Sequence, residues 1–412
     1  MVNLFFVDPR AVRRVHDGPL GAYIDGFAAW LSERGYARQT AKVQIRLVAE
    51  LSRWLRRQGL GVRNLDEQSV AKFLRHKRRY GRLHRGNAAT LRTLLCRLRT
   101  AGVISAATPP NDSGSLHPIG KAFAQYLSQE RGLSRATLLN YGVLVRRFLE
   151  DRFGTGPLKC EQVNPAEIAR FLLRYARAYS LTRVKLMVTA LRSFFRFLRL
   201  RGDLRSDLAG AVPTVAYWRL STLPKSLQPH QVKRLLDSCD QATATGQRDY
   251  ALLLLLARLG LRAGEVVGLT LEDIDWEAGE LTVRGKNAQQ DRLPLPRDVG
   301  AAVARYLRHV RPRCSTRRVF VRMQAPRQGF ASSVAVCTIV RRAIERAGLR
   351  PTLKGAHLLR HSLATQMLRQ GASLAQIGEI LRHRTPKSTE IYAKVDLRAL
   401  RALTQPWPRG AV

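Results

Sequence analysis

Two stretches of the chain repeat the same order of amphipathic helical segments, and this repetition restricts the possible folds most strongly. The matching segments are 33–35 with 130–132, 70–74 with 168–172, and 91–102 with 191–202. The offset between them stays within about 97 to 100 residues, which indicates a tandem duplication. Two unrelated Arg- and Leu-rich bundles would share composition, but a common order of three separate matches is less expected of them.

Apolar residues inside these stretches recur every three or four positions, which predicts helices with one buried stripe. In the second copy this stripe includes Leu144, Val145 and Phe148, whereas Arg146 and Arg147 lie largely off it. For any single arginine a solvated surface is the simpler interpretation. Because the excess of arginine recurs in both copies, we expect these side chains as a class to contact DNA phosphates.

The overall charge points to a polyanionic partner. The 412 residues contain 71 Lys and Arg against 30 Asp and Glu, a formal charge of +41. Nucleic acid is the first candidate partner and an anionic membrane surface the second. The longest apolar run, 251–257, is far shorter than the ~20 residues of a membrane span, and 4–7 is too short for a secretory signal. We therefore expect a cytoplasmic, nucleoid-associated protein.

Cysteine usage predicts neither a disulfide framework nor a zinc site. The five cysteines form no C-x-x-C pair and have no histidine at ligand spacing. Free thiols are the expectation, and no cofactor or metal is predicted.

Runs of Pro, Gly, Ser, Asn and Asp divide the chain into regions. The predicted organisation is an N-terminal tail 1–17, a first helical domain 18–106, a linker 107–116, a second helical domain 117–211, a linker 212–227, a third domain 228–397 and a C-terminal tail 398–412. In the third domain, β-prone runs at 280–284 and 291–296 flank a turn containing Gly285 and Asn287, which predicts a hairpin in a mostly helical region.

The segment 354–362 contains the most informative polar pattern. His357 and Arg360 are three residues apart, so on a helix they share a face, whereas Leu359 and Leu363 face the core. This pairs a bidentate phosphate ligand with a titratable hydrogen-bond donor. Arg262 follows a Gly-containing turn at the start of a short helix, where anions bind readily.

The third domain resembles the catalytic domain of the tyrosine recombinases, the phage-integrase-like site-specific DNA recombinases. The similar segments are LGLRAGEVVGL at 259–269, VRGKNAQQDRLPLP at 283–296, HLLRHSLATQMLRQGASLAQIGEILRH at 357–383 and STEIYAKVD at 388–396. The second helical domain resembles the core-binding domain of that family, so the likeness covers about residues 117–400. The implied fold is mainly α: two helical DNA-binding bundles followed by an α+β catalytic domain with a small antiparallel sheet.

The resemblance implies a role for each residue of the motif. The implied residues are Tyr392 as nucleophile, Arg262 and Arg360 as phosphate ligands, Lys286 and His357 as proton-transfer groups, His383 as a donor to the scissile phosphate, and Glu265 as an orienting residue. Arg382 departs from the family, which usually has glycine there, and this puts the tightness of the turn in doubt. His361 receives no role beyond that of a hydrogen-bonded helix residue.

The resemblance also implies an activity and its partners. Two guanidinium groups can hold both nonbridging phosphate oxygens without a metal ion, and a phosphotyrosyl bond allows the strands to be rejoined without ATP. We expect a DNA recombinase or integrase of a mobile element, acting on double-stranded DNA as a homotetramer, with accessory proteins as further partners. The additional N-terminal copy is expected to bind DNA beside the core site; removing residues 1–105 without loss of binding or footprint length would contradict this.

Three alternatives compete with this interpretation. An inactive DNA-binding accessory protein would form no covalent adduct, and a type IB-like topoisomerase would act without pairing two sites. The third alternative is metal-dependent strand transfer by paired carboxylates. It would use the acidic cluster Glu272, Asp273, Asp275 and Glu277. A solvated turn explains that cluster better.

Overall fold

Helices form where the sequence places apolar residues at helical spacing behind capping residues. The computed structural model describes residues 1–80, 84, 86–105, 118–154, 156, 158–216, 223–285 and 290–395. These residues are mainly helical and include one small antiparallel sheet, which confirms the predicted fold class. The chain divides into two compact units, one comprising Ser105–Arg219 and the other Met1–Ile104 with Leu220–Val412. No helix in the described ranges is both long and apolar enough to cross a membrane.

The first helical region has a hydrophobic core of its own. Its helices are α1 Pro9–His16, α2 Gly21–Glu33, α3 Arg38–Arg57, α4 Glu67–Tyr80 and α5 Asn87–Thr100. The segment 1–17, which the sequence analysis set apart as a tail, carries α1 and buries Val2, Phe6 and Val15 in this core. Asp8 caps α1 by accepting a hydrogen bond from the Arg10 backbone N–H, so a polar cap and scattered apolar residues tie the segment down.

The second helical region repeats this plan in the other compact unit. Its helices are α6 Pro118–Gln129, α7 Arg135–Phe153, α8 Pro165–Ala178, α9 Leu181–Leu200 and the short α10 Leu208–Ala211. Four helices, α2–α5 and α6–α9, thus follow in the same order. A glycine with positive φ follows the first and the last helix of each set, at Gly35 and Gly102, then at Gly132 and Gly202. The shared turn geometry supports the duplication.

The third region packs around one helix whose central part is buried. Its helices are α11 Pro229–Asp237, α12 Ala244–Leu259, α13 Ala263–Gly268, α14 Arg297–Arg305, α15 Ser333–Arg346, α16 Ala356–Arg369 and α17 Leu374–Ile380. Five consecutive leucines of α12, residues 252–256, are all buried, because α11, α14 and α16 pack around this helix. The predicted apolar run is therefore a core helix.

The predicted hairpin is present and belongs to a three-stranded antiparallel sheet. The strands are β1 Ile274–Asp275, β2 Glu280–Arg284 and β3 Gln290–Pro294, in the order β1-β2-β3. Leu281 pairs with Ile274 on one side and with Leu293 on the other. Alternation places Leu281 and Val283 in the core, which fixes the register of β2.

The first and third regions contact each other within their common compact unit. The Arg327 backbone N–H donates to the Arg34 carbonyl at 2.9 Å. Gly35, with φ +71°, leaves room for the Arg327 side chain, since a Cβ atom at this position would overlap the Arg327 Cδ atom. A glycine of the duplicated motif therefore also serves this contact.

Candidate active site

The turn between α12 and α13 places Arg262 and Glu265 side by side. Arg262 is the N-cap of α13. Its backbone N–H donates to the Glu265 carboxylate at 2.8 Å, and its Nη1 donates to the same carboxylate at 2.7 Å. Burial alone would raise the pKa of Glu265, but the backbone hydrogen bond and the charges of Arg382 and Arg262 outweigh it and lower this pKa. Glu265 is therefore an ionised, buried anchor for Arg262.

Arg360 is buried on α16, where its guanidinium donates to two backbone carbonyls. Nη1 donates to Gly260 and Nη2 to Leu381, so one side chain joins the end of α12 to the end of α17. Gly260 permits this approach, because its φ is +57° and a Cβ atom there would lie 2.7 Å from the Leu381 Cδ2. These two contacts use two of the five N–H groups of the guanidinium.

His357 and His361 lie one helical turn apart on α16, with ring centroids separated by 6.4 Å. Desolvation and the charges of Arg360 and Arg262 lower the pKa of His357. Desolvation also lowers the pKa of His361, with further contributions from His357 and Arg360. Both imidazoles are therefore neutral at pH 7 in the absence of an anion.

The turn after α17 carries Arg382 and His383. The His383 Nδ1 atom lies 2.7 Å from the Thr389 hydroxyl oxygen. Desolvation lowers the pKa of His383 to about 4, and the charges of Arg360 and Arg262 are the next largest causes. Arg382 has a positive φ of +54° and donates from Nη2 to the Glu265 carboxylate at 2.8 Å.

Tyr392 lies on a 3₁₀ helix, Glu390–Val395, and is only 1% exposed. Its hydroxyl is 2.9 Å from the His361 Nδ1 atom, and its ring stacks parallel to His383 with centroids 6.5 Å apart. Burial raises the pKa of Tyr392 to about 12, and the nearby charge of Arg360 opposes that shift. The phenol is thus protonated and packed, with a histidine at its oxygen.

The structure brings together five of the six residues proposed for catalysis. These are Arg262, His357, Arg360, His383 and Tyr392. Glu265 joins them through Arg262. Lys286 falls in 286–289, outside the described residues. An arrangement of permanently charged guanidinium groups beside neutral histidines can hold an anionic group and move protons around it.

Three carboxylates of the acidic cluster considered as a metal site have partners within the protein. Asp273 accepts from the Thr270 backbone N–H and pairs with Arg284, and Glu272 pairs with Arg317. Asp275 accepts from the backbone of the following turn. Those three carboxylates therefore order the turn before β2.

Sequence reasoning missed two residues of this site. The sequence predicts His361 as a hydrogen-bonded helix residue, but it does not indicate that the partner is the Tyr392 hydroxyl. Its position four residues after His357 on one helix face was the available signal. Arg382 was noted only as a departure from glycine, and nothing in its sequence context indicated that its side chain would pair with Glu265.

Two segments of the chain match known protein families. Residues 225–398 match the phage integrase family, and residues 121–202 match its N-terminal SAM-like domain. A putative integrase/recombinase, y4rA of Sinorhizobium fredii, is 44% identical over 97% of this chain and 98% of its own length. The chain belongs to the phage integrase family of tyrosine recombinases. Tyrosine recombinase XerA of Pyrococcus furiosus is 33% identical over 68% of this chain and 90% of its own.

Solved structures of tyrosine recombinases share the fold. A XerH recombinase bound to a difH substrate superposes with a TM-score of 0.54 at 20% identity, covering 69% of this chain and 83% of that one. A lambda integrase fragment bound to a core site gives 0.53 at 19% identity, covering 72% and 99%. The match to y4rA extends over nearly the whole chain, so it includes the first helical region, whereas these structures cover about 70%.

Proposed function

We propose that this family member cleaves and rejoins DNA strands as a site-specific recombinase or integrase, through a 3′-phosphotyrosyl intermediate and without metal or ATP. The observation that carries the proposal is the Tyr392 hydroxyl, held 2.9 Å from His361 beside the guanidinium group of Arg360. A phenol, a neutral base and a phosphate-binding arginine are the components that strand cleavage by tyrosine requires.

The proposed step balances as a transesterification. The Tyr392 oxygen attacks phosphorus and its proton passes to His361 Nδ1, while the bond from phosphorus to the 5′ oxygen breaks. The departing 5′ oxygen takes a proton, for which Lys286 is the proposed source, and the neutral His357 imidazole is proposed to relay it. Attack of a 5′ hydroxyl on the phosphotyrosyl bond restores the phosphodiester, so the energy of the bond is conserved.

Arg262 and Arg360 supply the charge that this step needs. Their guanidinium groups stay protonated and can bind the two nonbridging oxygens, where negative charge accumulates in the transition state. Both are already fixed by protein partners, Arg262 by Glu265 and Arg360 by two backbone carbonyls. These two side chains are therefore pre-oriented, which is the condition for effective electrostatic stabilisation, whereas the buried Tyr392 hydroxyl must become accessible to the DNA.

We further propose that the protein acts on two DNA sites as a homotetramer and serves a mobile element. The structural relatives include a Tn1549 transposon integrase in complex with circular-intermediate DNA. The formal charge of +41 suits binding to an extended polyanion.

The first helical region offers a surface for additional DNA. Two adjoining depressions between α1, α3 and α4, here together called the basic groove, have six cationic side chains in their lining. They are Arg10, Arg14, Arg46, Arg53, Arg57 and Lys77, accompanied by Asp8 and Glu50. Concave arrays of arginine suit phosphate contacts along a backbone.

A nicked suicide substrate tests the proposed reaction, because loss of a short 5′ fragment traps the covalent adduct. We expect wild-type protein to become linked to the 3′ end in the presence of EDTA. An accessory protein would give no adduct, and a topoisomerase would give adduct and relaxation without joining two sites. Loss of cleavage on chelation would support the carboxylate alternative.

A further inference from the structure

Arg382 has a backbone conformation that is unfavourable for an arginine. Among the residues that the structure describes, it is the one non-glycine residue with positive φ, at +54°. Residues with a Cβ atom rarely adopt this left-handed backbone region, whereas glycine adopts it freely. Such conformations persist where the surroundings enforce them, and they concentrate at functional sites.

The Arg382 side chain is buried between two carboxylates. It is 7% exposed, its Nη2 donates to the Glu265 Oε2 at 2.8 Å, and its Nε lies 3.8 Å from the Asp291 Oδ2 on β3. A buried guanidinium needs compensating partners to be tolerated. The charge of Arg382 in turn is one of the causes that keep Glu265 ionised.

Arg382 also holds Arg262 through its backbone. The Arg262 Nη2 donates to the Arg382 carbonyl at 3.2 Å, while the Arg262 Nη1 donates to Glu265 at 2.7 Å. Arg382 therefore influences both terminal nitrogens of Arg262: it contacts Nη2 through its own carbonyl, and it binds Glu265, which accepts from Nη1. Arg382 connects β3, α13 and the turn that carries His383.

We propose that Arg382 is a positioning residue for phosphate binding: its guanidinium fixes Glu265, and its carbonyl and Glu265 together orient Arg262. This inference rests on the proposed strand cleavage. Glycine at this position would remove the unfavourable backbone geometry but would leave Glu265 with Arg262 alone. The arginine therefore contributes order at the phosphate site rather than an easier turn.

Two substitutions separate the guanidinium from the backbone. Arg382→Gly and Arg382→Asn both accept positive φ and both remove the charge that binds Glu265. We expect each to slow single-turnover adduct formation about 10- to 100-fold on a suicide substrate, because small misplacements of a phosphate ligand have effects of this size. DNA affinity should stay within about twofold. Arg350→Gly removes an exposed arginine of the same region as the matched control.

A double-mutant cycle with Glu265→Gln tests the route of the effect. If Arg382 acts through Glu265, the combined variant should be no slower than the slower single variant. Wild-type rates in Arg382→Gly and Arg382→Asn, or fully additive losses in the cycle, would overturn the inference.

Thermal unfolding of the four proteins of this cycle distinguishes failure of this inference from failure of the proposed function. The four are wild type, Arg382→Gly, Glu265→Gln and the combined variant. If wild-type protein formed no adduct, the proposed function would fail, but the cycle in melting temperature would still decide the link between Arg382 and Glu265. Non-additive shifts in melting temperature support the link, and additive shifts contradict it.

Discussion

The Nδ1 atom of His361 lies 2.9 Å from the hydroxyl oxygen of Tyr392, and the two rings meet edge to face with centroids 5.7 Å apart. Burial raises the pKa of Tyr392 to about 12, so the phenol carries its proton. The phenol therefore donates, Nδ1 accepts, and the His361 proton is on Nε2. Ionising such a phenol at pH 7 before attack would cost on the order of 7 kcal/mol, which favours proton transfer to His361 during the attack.

His361→Ala should slow adduct formation on a suicide substrate about 100-fold or more, the usual contribution of a general base. DNA affinity should not change, because the imidazole is half-buried and neutral. Single-turnover rates at saturating DNA measure this, with His309→Ala, at an exposed histidine, as control. A wild-type rate in His361→Ala would assign the phenolic proton to another acceptor.

The pH dependence of cleavage should reflect the lowered pKa of His361. Desolvation and the charges of His357 and Arg360 lower the pKa of His361 from its ordinary value, so the neutral base persists to lower pH than a free imidazole would and is lost as the pH falls through the lowered pKa. We expect the second-order rate of adduct formation, measured at limiting DNA so that it reports the free protein, to decline towards acidic pH with a midpoint below 6.5. A midpoint above pH 6.5 would show that the limiting group is not this histidine.

Tyr392→Phe should abolish covalent trapping while DNA affinity remains. The ring packs with Ala364, Leu368, Ile377 and Leu381, and phenylalanine keeps those contacts. Loss of one hydrogen bond should change the free energy of unfolding by only about 1 kcal/mol. Gel assays for adduct and for binding, together with thermal unfolding, check all three expectations. Adduct formation by Tyr392→Phe would mean that another residue is the nucleophile.

Gly260→Ala should destabilise the protein and disturb Arg360. The left-handed backbone costs about 1–2 kcal/mol for alanine, and the added Cβ would lie 2.7 Å from Leu381 and 3.1 Å from Leu363. Such overlap adds about 1–3 kcal/mol. Denaturant unfolding measures the change.

The matched control is Gly264→Ala in α13, where a Cβ atom meets nothing within 4 Å. Alanine there should be neutral or slightly stabilising, since it favours helix. Equal effects of the two substitutions would show that the Gly260 turn tolerates a side chain.

The sequence predicted the elements of the fold well because periodicity and turn residues are local signals. Short-range spacing predicts the α16 face that carries His357 and Arg360, the pairing of β2 with β3 and the glycine turn before Arg262. The segment 1–17 did not follow, since its few apolar residues have partners in α2 and α3 that no local pattern reveals.

The same distinction applies to the site. His361 and Tyr392 are 31 positions apart, and Arg382 and Glu265 are 117 apart. Their pairing depends on how α16, α17 and α13 pack, which a single sequence does not specify. The resemblance identified residues that match a family motif. It could not indicate a role for the Arg382 side chain, because the family usually has glycine at that position.

Substitution of two arginines tests the proposed DNA contact of the first helical region. Arg14 and Arg53 both line the basic groove, and the Arg53 side chain donates to the Arg14 carbonyl at 3.0 Å. Arg14→Gln with Arg53→Gln should reduce affinity for a long DNA duplex and make its dependence on the logarithm of salt concentration shallower by about two, one for each lost phosphate contact. Affinity for a duplex that contains only the core site should stay unchanged, because the groove is proposed to bind beside it.

The control is Arg63→Gln, an exposed arginine of the same region that does not line the groove, and it should alter neither affinity. An equal loss of affinity on the short and the long duplex would place these arginines at the core site, and no loss on either would remove the basic groove from DNA binding.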